Sequence, residues 1–182
     1  MTDQPPPGPG YPAPGPVTGT RPAELLERFL ARLVDFVLLA LVDGIVVSGI
    51  VVGAIMGDSG GFYYGATGYA ASFVSAVLTA ALYLAYFSYL ESSRGQTVGK
   101  MVMKLHVVGP QGGHPTLEQA ARRNCWVAFG VLGVIPVLGG FLAGLASLVA
   151  VVLIAVGINS DTANRQAWHD RFAGGTRVVR ET

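Results

Sequence analysis

The sequence is poor in charge. Only 13% of its 182 residues are Asp, Glu, Lys or Arg, whereas about 25% is usual in soluble domains. Apolar residues make up 51% of the chain, and the mean hydropathy is +0.50. A soluble domain needs more charged surface than this. The composition therefore predicts an integral membrane protein that is in contact with the lipid bilayer.

Cysteine, metal-ligand clusters and excess charge are also lacking. Cys125 is the single cysteine, so no internal disulfide can form. The histidines, His106, His114 and His169, show no metal-ligand spacing, and no nucleophile and base occur in a recognised pattern. A net charge of +1 argues against nucleic acid as a partner. We therefore expect no enzyme, no bound metal and no cofactor.

One apolar stretch is long enough to cross a membrane but contains charged residues. Residues 33–56 can cross about 30 Å of hydrocarbon as a helix, yet they include Asp35 and Asp43. At about 100° per residue, Arg28, Arg32 and the two aspartates fall within a stripe roughly 80° wide. We expect this face to point inward, because ionised side chains are costly in lipid.

Hydropathy predicts an all-α membrane protein, a small bundle with four membrane segments. Two long helices cover about residues 30–56 and 69–90. The next apolar block, 124–158, has no charged residue and would measure about 52 Å as one straight helix, too long for one crossing. Glycine and proline in its middle favour a helical hairpin with arms at 124–137 and 139–158. A re-entrant loop is the alternative.

The second helix carries polar side chains at every third or fourth position, so that they form one seam. They are Ser72, Ser75, Thr79, Tyr83 and Tyr86. This seam can face the aspartates of the first helix. The candidate ion-binding or ligand-binding set is Asp35, Asp43, Ser75, Thr79 and Tyr83. The alternative is structural: small polar residues let helices approach closely, and Asp43 is hydrogen-bonded to Tyr83 or Ser75.

Small residues in the last apolar block predict close helix packing. The second arm of the hairpin is expected to pack through Gly140 and Gly144. Four short segments enclose little volume, so a pathway through the protein would lie between protomers. The small-residue faces allow such a homo-oligomer.

Residues 91–123 are predicted to form a polar, water-exposed insert. Its alternating run at 104–108 indicates a strand, followed by a hairpin-like turn. Thr116 and Gln119 have the spacing of a capping box, which begins a helix.

The carboxyl segment, 160–180, is predicted to form an interfacial helix and a strand. Asp161 should cap the helix, and Gly174 with Gly175 should end it. The strand at 176–179 could pair with the strand in the insert and close a small cytoplasmic β element.

The first 20 residues are rich in proline and glycine and predict a disordered tail. Such a tail can be a solvated tether or a ligand for a protein that binds proline-rich segments. Thr20 is expected to cap the first helix, with Pro22 inside its first turn.

The cations fall into three groups. They are Arg21, Arg28 and Arg32; Arg94, Lys100, Lys104, Arg122 and Arg123; and Arg165, Arg171, Arg177 and Arg180. Under the positive-inside rule, both termini and the insert are cytoplasmic in a multi-pass plasma-membrane protein.

Three separated motifs resemble those of the RDD family of membrane proteins. The first contains Arg28 and Asp35, and the third contains His169 and Asp170. The second comprises Gly95, Gln96, Thr97, Val98, Gly99 and Lys100. The resemblance covers residues from about 27 to 179. The family is named for one arginine and two aspartates, here Arg28, Asp35 and Asp170, and transport of an unidentified ligand is usually suggested for it.

Three functional interpretations follow. In the first, Asp35 and Asp43 exchange protons or small cations during transport. In the second, Arg28, Asp35 and Asp170 form one structural electrostatic unit, although the extra Arg32 could pair with Asp35 instead. In the third, the chain is a membrane scaffold recruited through its proline-rich tail.

Overall fold

The structure is a computed structural model that describes residues 19–51 and 66–181. The predictions for the tail up to residue 18 and for the end of the first membrane segment, 52–56, lie outside this part of the chain.

The described chain is mostly helical, with one small sheet. Its helices are α1 (Leu25–Val51), α2 (Ala66–Arg94), α3 (Val98–Val102), α4 (Leu117–Asn124), a 3₁₀ helix (Cys125–Val134), α5 (Gly139–Ser160) and α6 (Trp168–Phe172). Its strands are β1 (Thr20–Pro22), β2 (Leu105–Val108) and β3 (Arg177–Glu181). We call the end of the bundle that carries α3, α4, α6 and the sheet the polar end.

Two of the described helices are long and apolar enough to cross a membrane. They cover Gly68–Arg94 and Gly139–Ser160. Helix α1 has 27 residues and measures about 40 Å, but it carries the charged face described above. Large apolar side chains on its surface, such as Leu41 and Ile45, are 64% and 76% exposed. Such a surface is suited to contact with lipid.

The last apolar block folds back on itself, but its first arm is short. The 3₁₀ helix has ten residues, and at about 2.0 Å per residue it measures about 20 Å, less than the hydrocarbon core. It packs against α5, whose first residue is Gly139. A Cβ atom on Gly139 would lie 2.6 Å from the carbonyl oxygen of Leu132, so glycine permits the tight turn. The count of four membrane segments stays a prediction.

The predicted packing through Gly140 and Gly144 is wrong. Both glycines are exposed, and a Cβ atom on either would meet nothing within 4 Å. The close approaches on α5 occur at Gly139, described above, and at Gly157, where a Cβ atom would lie 2.8 Å from Cα of Ala167. The Gly157 contact joins α5 to the segment leading into α6.

The predicted pairing between the insert and the carboxyl strand is confirmed. Strands β2 and β3 are antiparallel, with His106 opposite Val179. The turn after β2 does not make a hairpin, because the partner of β2 is β3. Strand β3 lies in the middle of the sheet, and β1 pairs with its other side.

Strand β1 replaces the predicted start of the first helix. Thr20 lies opposite Glu181 and Pro22 opposite Val179, so Thr20 neither caps α1 nor belongs to a disordered tail. The edge position suits Pro22, because proline lacks a backbone donor. The sheet packs on α1 through an apolar core of Ala23, Ala31, Leu105 and Val178.

The prediction of a water-exposed insert holds for residues 111–114, which are exposed, but is wrong for much of the rest. Glu91 and Thr97 are fully buried, as are Leu105 and Ala120. Helix α2 extends to Arg94, and α3 packs directly on α1. The predicted capping box of α4 is confirmed: Thr116 Oγ1 accepts from the Gln119 backbone at 3.2 Å, and the Gln119 side chain accepts from the Thr116 backbone at 2.9 Å.

Helix α6 begins later than predicted, and Asp161 does not cap it. The Asp161 carboxylate accepts backbone N–H bonds from Asn164 and Gln166 in the preceding turn. The N-cap residue of α6 is Ala167, whose backbone N–H donates to the Asp170 carboxylate at 3.1 Å. Gly174 and Gly175 follow its last residue with φ values of +85° and +94°, so the predicted glycine stop is confirmed.

The contact between α3 and α1 generates a stability prediction. A Cβ atom on Gly99 would lie 1.9 Å from the Ala31 carbonyl oxygen and 3.0 Å from Cγ of Asp35. We expect Gly99→Ala to lower the free energy of unfolding by about 3 kcal/mol or more, because backbone must move. Gly144→Ala, the matched control in an open helical position, should be neutral or stabilising by up to about 1 kcal/mol.

Thermal unfolding of both purified variants in detergent measures the difference. Equal melting temperatures would contradict the close packing of α3 on α1.

Candidate functional site

Asp35 on α1 accepts three hydrogen bonds from uncharged groups, two from α3 and its N-cap and one from α2. It is fully buried. Its Oδ1 accepts from the Gly99 backbone at 2.7 Å and from the Tyr86 hydroxyl at 2.8 Å, and its Oδ2 accepts from the Thr97 hydroxyl at 2.6 Å. No arginine of the described residues lies within ion-pair distance of it. The predicted pairing of Asp35 with Arg28 or Arg32 is therefore wrong.

The Gly95–Lys100 motif ties three parts of the polar end together. Gly95, with φ of +67°, accepts through its carbonyl from the Val107 backbone at 2.7 Å. The Gln96 side chain donates to the Leu105 carbonyl at 3.0 Å. These two residues hold β2, whereas the middle of the motif holds Asp35. The Lys100 ammonium ends the motif by pairing with Glu91.

Asp170 is fully buried between two arginines. Arg28 Nη1 donates to Asp170 Oδ2 at 3.1 Å, and Arg123 Nε lies 2.9 Å from Oδ1. Arg28 also donates to the Ala23 carbonyl at 3.1 Å. The predicted contact between Arg28 and Asp170 is present, and Asp35 takes no part in it. The second arginine, Arg123, was not predicted.

Glu91 is a second fully buried carboxylate. Besides Lys100, it accepts from Asn124 Nδ2 at 2.9 Å and contacts Arg123 Nη1 at 3.5 Å. Arg123 therefore joins Glu91 on α2 to Asp170 on α6. We call the group Arg28, Glu91, Lys100, Arg123 and Asp170 the ion cluster.

Sequence reasoning missed Glu91 because it was assigned to the exposed insert. A signal was present: Glu91 lies eight residues after Tyr83 and four after Phe87, so it continues one face of α2. Phe87 is itself fully buried. No comparable periodicity marks Arg123, which follows another cation at the end of the short helix α4.

Arg32 lies beside the ion cluster without an acidic partner. Its Nη2 donates to Asn124 Oδ1 at 2.7 Å. Its guanidinium carbon lies 3.9 Å from the ring centroid of Phe87 and 5.4 Å from that of Trp126. Cation–π attraction of this kind stabilises a guanidinium away from water.

Burial and neighbouring charges set the protonation of the polar end. Burial is the main cause that lowers the pKa of His169 to about 3. The negative charge of Asp170 opposes this shift, and the positive charge of Arg123 adds to it. Burial raises the pKa of Asp170, but Arg123 and other nearby positive groups bring it to about 2. Burial lowers the pKa of Lys100 to about 8 against the attraction of Glu91. At neutral pH, His169 is uncharged, whereas Asp170 and Lys100 are ionised.

Asp43 lies eight residues beyond Asp35 on α1, about 12 Å along the helix. It is half-buried, and its Oδ1 accepts from the Thr79 hydroxyl of α2 at 2.7 Å. No cation of the described residues contacts it. Ser75 and Tyr83 do not hydrogen-bond to it, and the Tyr83 ring packs on Phe36 at 5.9 Å instead.

The predicted polar seam thus reaches both aspartates, through two of its five residues. Tyr86 contacts Asp35, and Thr79 contacts Asp43. Ser72 bonds back to its own helix, donating to the Gly68 carbonyl at 2.9 Å. The two aspartates therefore occupy separate sites, one fully hydrogen-bonded and one with a single contact.

The ion cluster predicts non-additive mutations. Asp170→Asn leaves Arg28 and Arg123 buried without their carboxylate, so we expect a loss of about 3–5 kcal/mol in the free energy of unfolding. Combining it with Arg28→Gln should cost less than the sum of the single changes. Arg28→Gln with Asp35→Asn is the control pair and should be additive, because these side chains share no contact. Unfolding in detergent tests both cycles, and strict additivity in the first would contradict the cluster.

His169 predicts a pH dependence. Its pKa is below the usual value near 6.5 in the folded protein, so the unfolded chain binds the proton more readily and stability falls as pH falls below 6.5. We expect about 2 kcal/mol to be lost between pH 6.5 and 5, above the range where carboxylates titrate. His169→Gln should remove this slope, whereas the exposed His114→Gln should keep it. Melting temperatures measured from pH 5 to 6.5 test this prediction. An unchanged dependence of stability on pH in His169→Gln would show that His169 is not its source.

The comparison with known protein families matches this arrangement of residues. The RDD family profile matches residues 22–174, a range that contains all three motifs and every member of the ion cluster. No curated protein sequence and no solved structure matches the chain. The match covers most of the chain, so the protein belongs to the RDD family.

Proposed function

We propose that this protein moves a proton or a small cation across the plasma membrane through Asp43. The observation that carries this proposal is the environment of Asp43: a carboxylate within an apolar helix, contacted by the Thr79 hydroxyl and by no cation of the described residues. Ionisable groups at such depth are costly and are usually retained for binding or relay.

Asp35 is a poorer candidate for loading and release. Two of its three hydrogen bonds attach α3 to α1, the third comes from Tyr86 on α2, and its carboxylate is fully buried. A proton or cation that entered there would have to break contacts on which the packing of α3 depends. Transport through Asp43 leaves these contacts intact, so the motif aspartate has a structural role in this proposal.

The chemistry at Asp43 suits a hard cation or a proton. A carboxylate and a hydroxyl offer oxygen ligands, which Na⁺ and similar ions prefer. The described residues give Asp43 and Thr79 only part of a coordination shell, so the remaining ligands would come from water or from a second protomer. A homo-oligomer that pairs this face would enclose the pathway. The cation distribution supports an orientation with both termini in the cytoplasm.

Flux into vesicles tests the proposal. Purified protein in liposomes should dissipate an imposed gradient of H⁺, Na⁺ or K⁺, and Asp43→Asn should reduce the rate at least tenfold. The matched control is Glu118→Gln, which removes an exposed carboxylate paired with Arg122 at the polar end and should leave the rate unchanged. Correctly folded wild-type protein that shows no flux under any of the three gradients would refute transport.

A scaffold is the second candidate, and a groove on the sheet favours it. The groove has a volume of about 500 Å³ and is lined by residues that include Thr20, His106, His114 and Arg177. It lies where the proline-rich tail joins β1, away from both aspartates. A partner that binds the tail could also bind this groove. Absence of flux, together with capture of one partner by the wild-type chain and not by a chain lacking residues 1–18, would favour this function.

A further inference from the structure

Six buried side-chain polar atoms in the described part of the chain have no hydrogen-bond partner, and two of them, beside the ion cluster, belong to groups that can only donate. These two are Arg32 Nη1 and Trp126 Nε1. Trp126 is only 8% exposed, and the Arg32 guanidinium carbon lies 5.4 Å from the centroid of its ring. The donors thus belong to neighbouring side chains where α1 meets α2 and the 3₁₀ helix. Leaving a buried donor without an acceptor costs about 1–3 kcal/mol, more for a charged group.

The chemistry of the two groups limits what could satisfy them. Guanidinium and indole nitrogens donate and do not accept, so they cannot satisfy each other. Arg32 Nη2 already donates to Asn124, and the face of the guanidinium lies over the Phe87 ring at 3.9 Å. This leaves the Nη1 edge for a ligand that accepts hydrogen bonds.

Charge indicates which kind of acceptor fits. No carboxylate of the described residues lies within ion-pair distance of Arg32, because those of the polar end contact other groups. The formal charges around Arg32 comprise four cations and three carboxylates, an excess of one positive charge: Arg28, Arg32, Lys100 and Arg123 against Asp35, Glu91 and Asp170. A water molecule could accept from the two donors but would leave the excess positive charge uncompensated. An anion would accept from the donors and also balance the charge.

We propose that the polar end binds an anion between α1, α2 and the 3₁₀ helix, through Arg32 Nη1 and Trp126 Nε1. The ligand is a monovalent anion, either a free inorganic ion such as chloride or the phosphate group of a phospholipid. The site is separate from Asp43 and does not depend on transport.

Tryptophan fluorescence provides a direct test, because iodide is an anion that quenches indole on contact. The chain has two tryptophans, so Trp168→Phe leaves Trp126 as the single emitter. In glycoside detergent without lipid, at constant ionic strength kept with gluconate, we expect iodide to quench Trp126 with a saturable component. Arg32→Gln in the same background should weaken that component at least tenfold. Arg94→Gln, at an exposed arginine of α2, should leave it unchanged.

Competition distinguishes the two sources of the anion. Relief of quenching by millimolar chloride supports a free inorganic ion. Relief by phosphatidylglycerol added to the micelles, with none by chloride, supports a lipid phosphate. Quenching that rises linearly with iodide and is equal in wild type and Arg32→Gln would overturn the proposal and leave water as the partner of these donors. If Arg32→Gln does not fold, Arg32→Met replaces it, and unchanged saturable quenching in that variant also overturns the proposal.

Discussion

The polar end depends on Arg123, which lies between two buried carboxylates. It contacts Asp170 at 2.9 Å and Glu91 at 3.5 Å, and through them it joins α4 to α6 and α2. Taking these charges out of water is costly, and their mutual attraction compensates only while the set is complete. The cluster is therefore better understood as a determinant of one specific arrangement of helices than as a source of stability.

The family-defining residues divide between two tasks in this structure. Arg28 and Asp170 join the two ends of the chain, whereas Asp35 receives uncharged donors from α2 and α3. Neither task places a free carboxylate in the membrane. The motif therefore describes how the polar end is assembled, and Asp43 lies outside it.

Sequence reasoning predicted what depends on local pattern. The apolar runs that became α2 and α5, the capping box of α4, the glycine stop after α6 and the pairing of β2 with β3 each leave a signal within a few residues. The contact between Arg28 and Asp170 also followed, because the motif names both. The helical spacing of α2 could have marked Glu91 as buried. Hydropathy and spacing could not show that Arg123 contacts two carboxylates or that Asp35 has no cation among the described residues, since these facts depend on how α3 packs on α1 and α4 on α2. Sequence reasoning could not predict β1 either, because this segment becomes a strand only by pairing with the edge of β3 that β2 does not occupy.

The contact between Arg28 and Asp170 joins residues that are 142 positions apart. A ribosome completes α1 long before it reaches α6, and chains fold in that order during synthesis. Until Asp170 emerges, Arg28 and Arg123 lack their shared carboxylate, and the polar end cannot close. The polar end thus closes only after α6 has been synthesised, and a chain that stops before α6 leaves Arg28 without its acidic partner, a chemical difference between unfinished and finished copies.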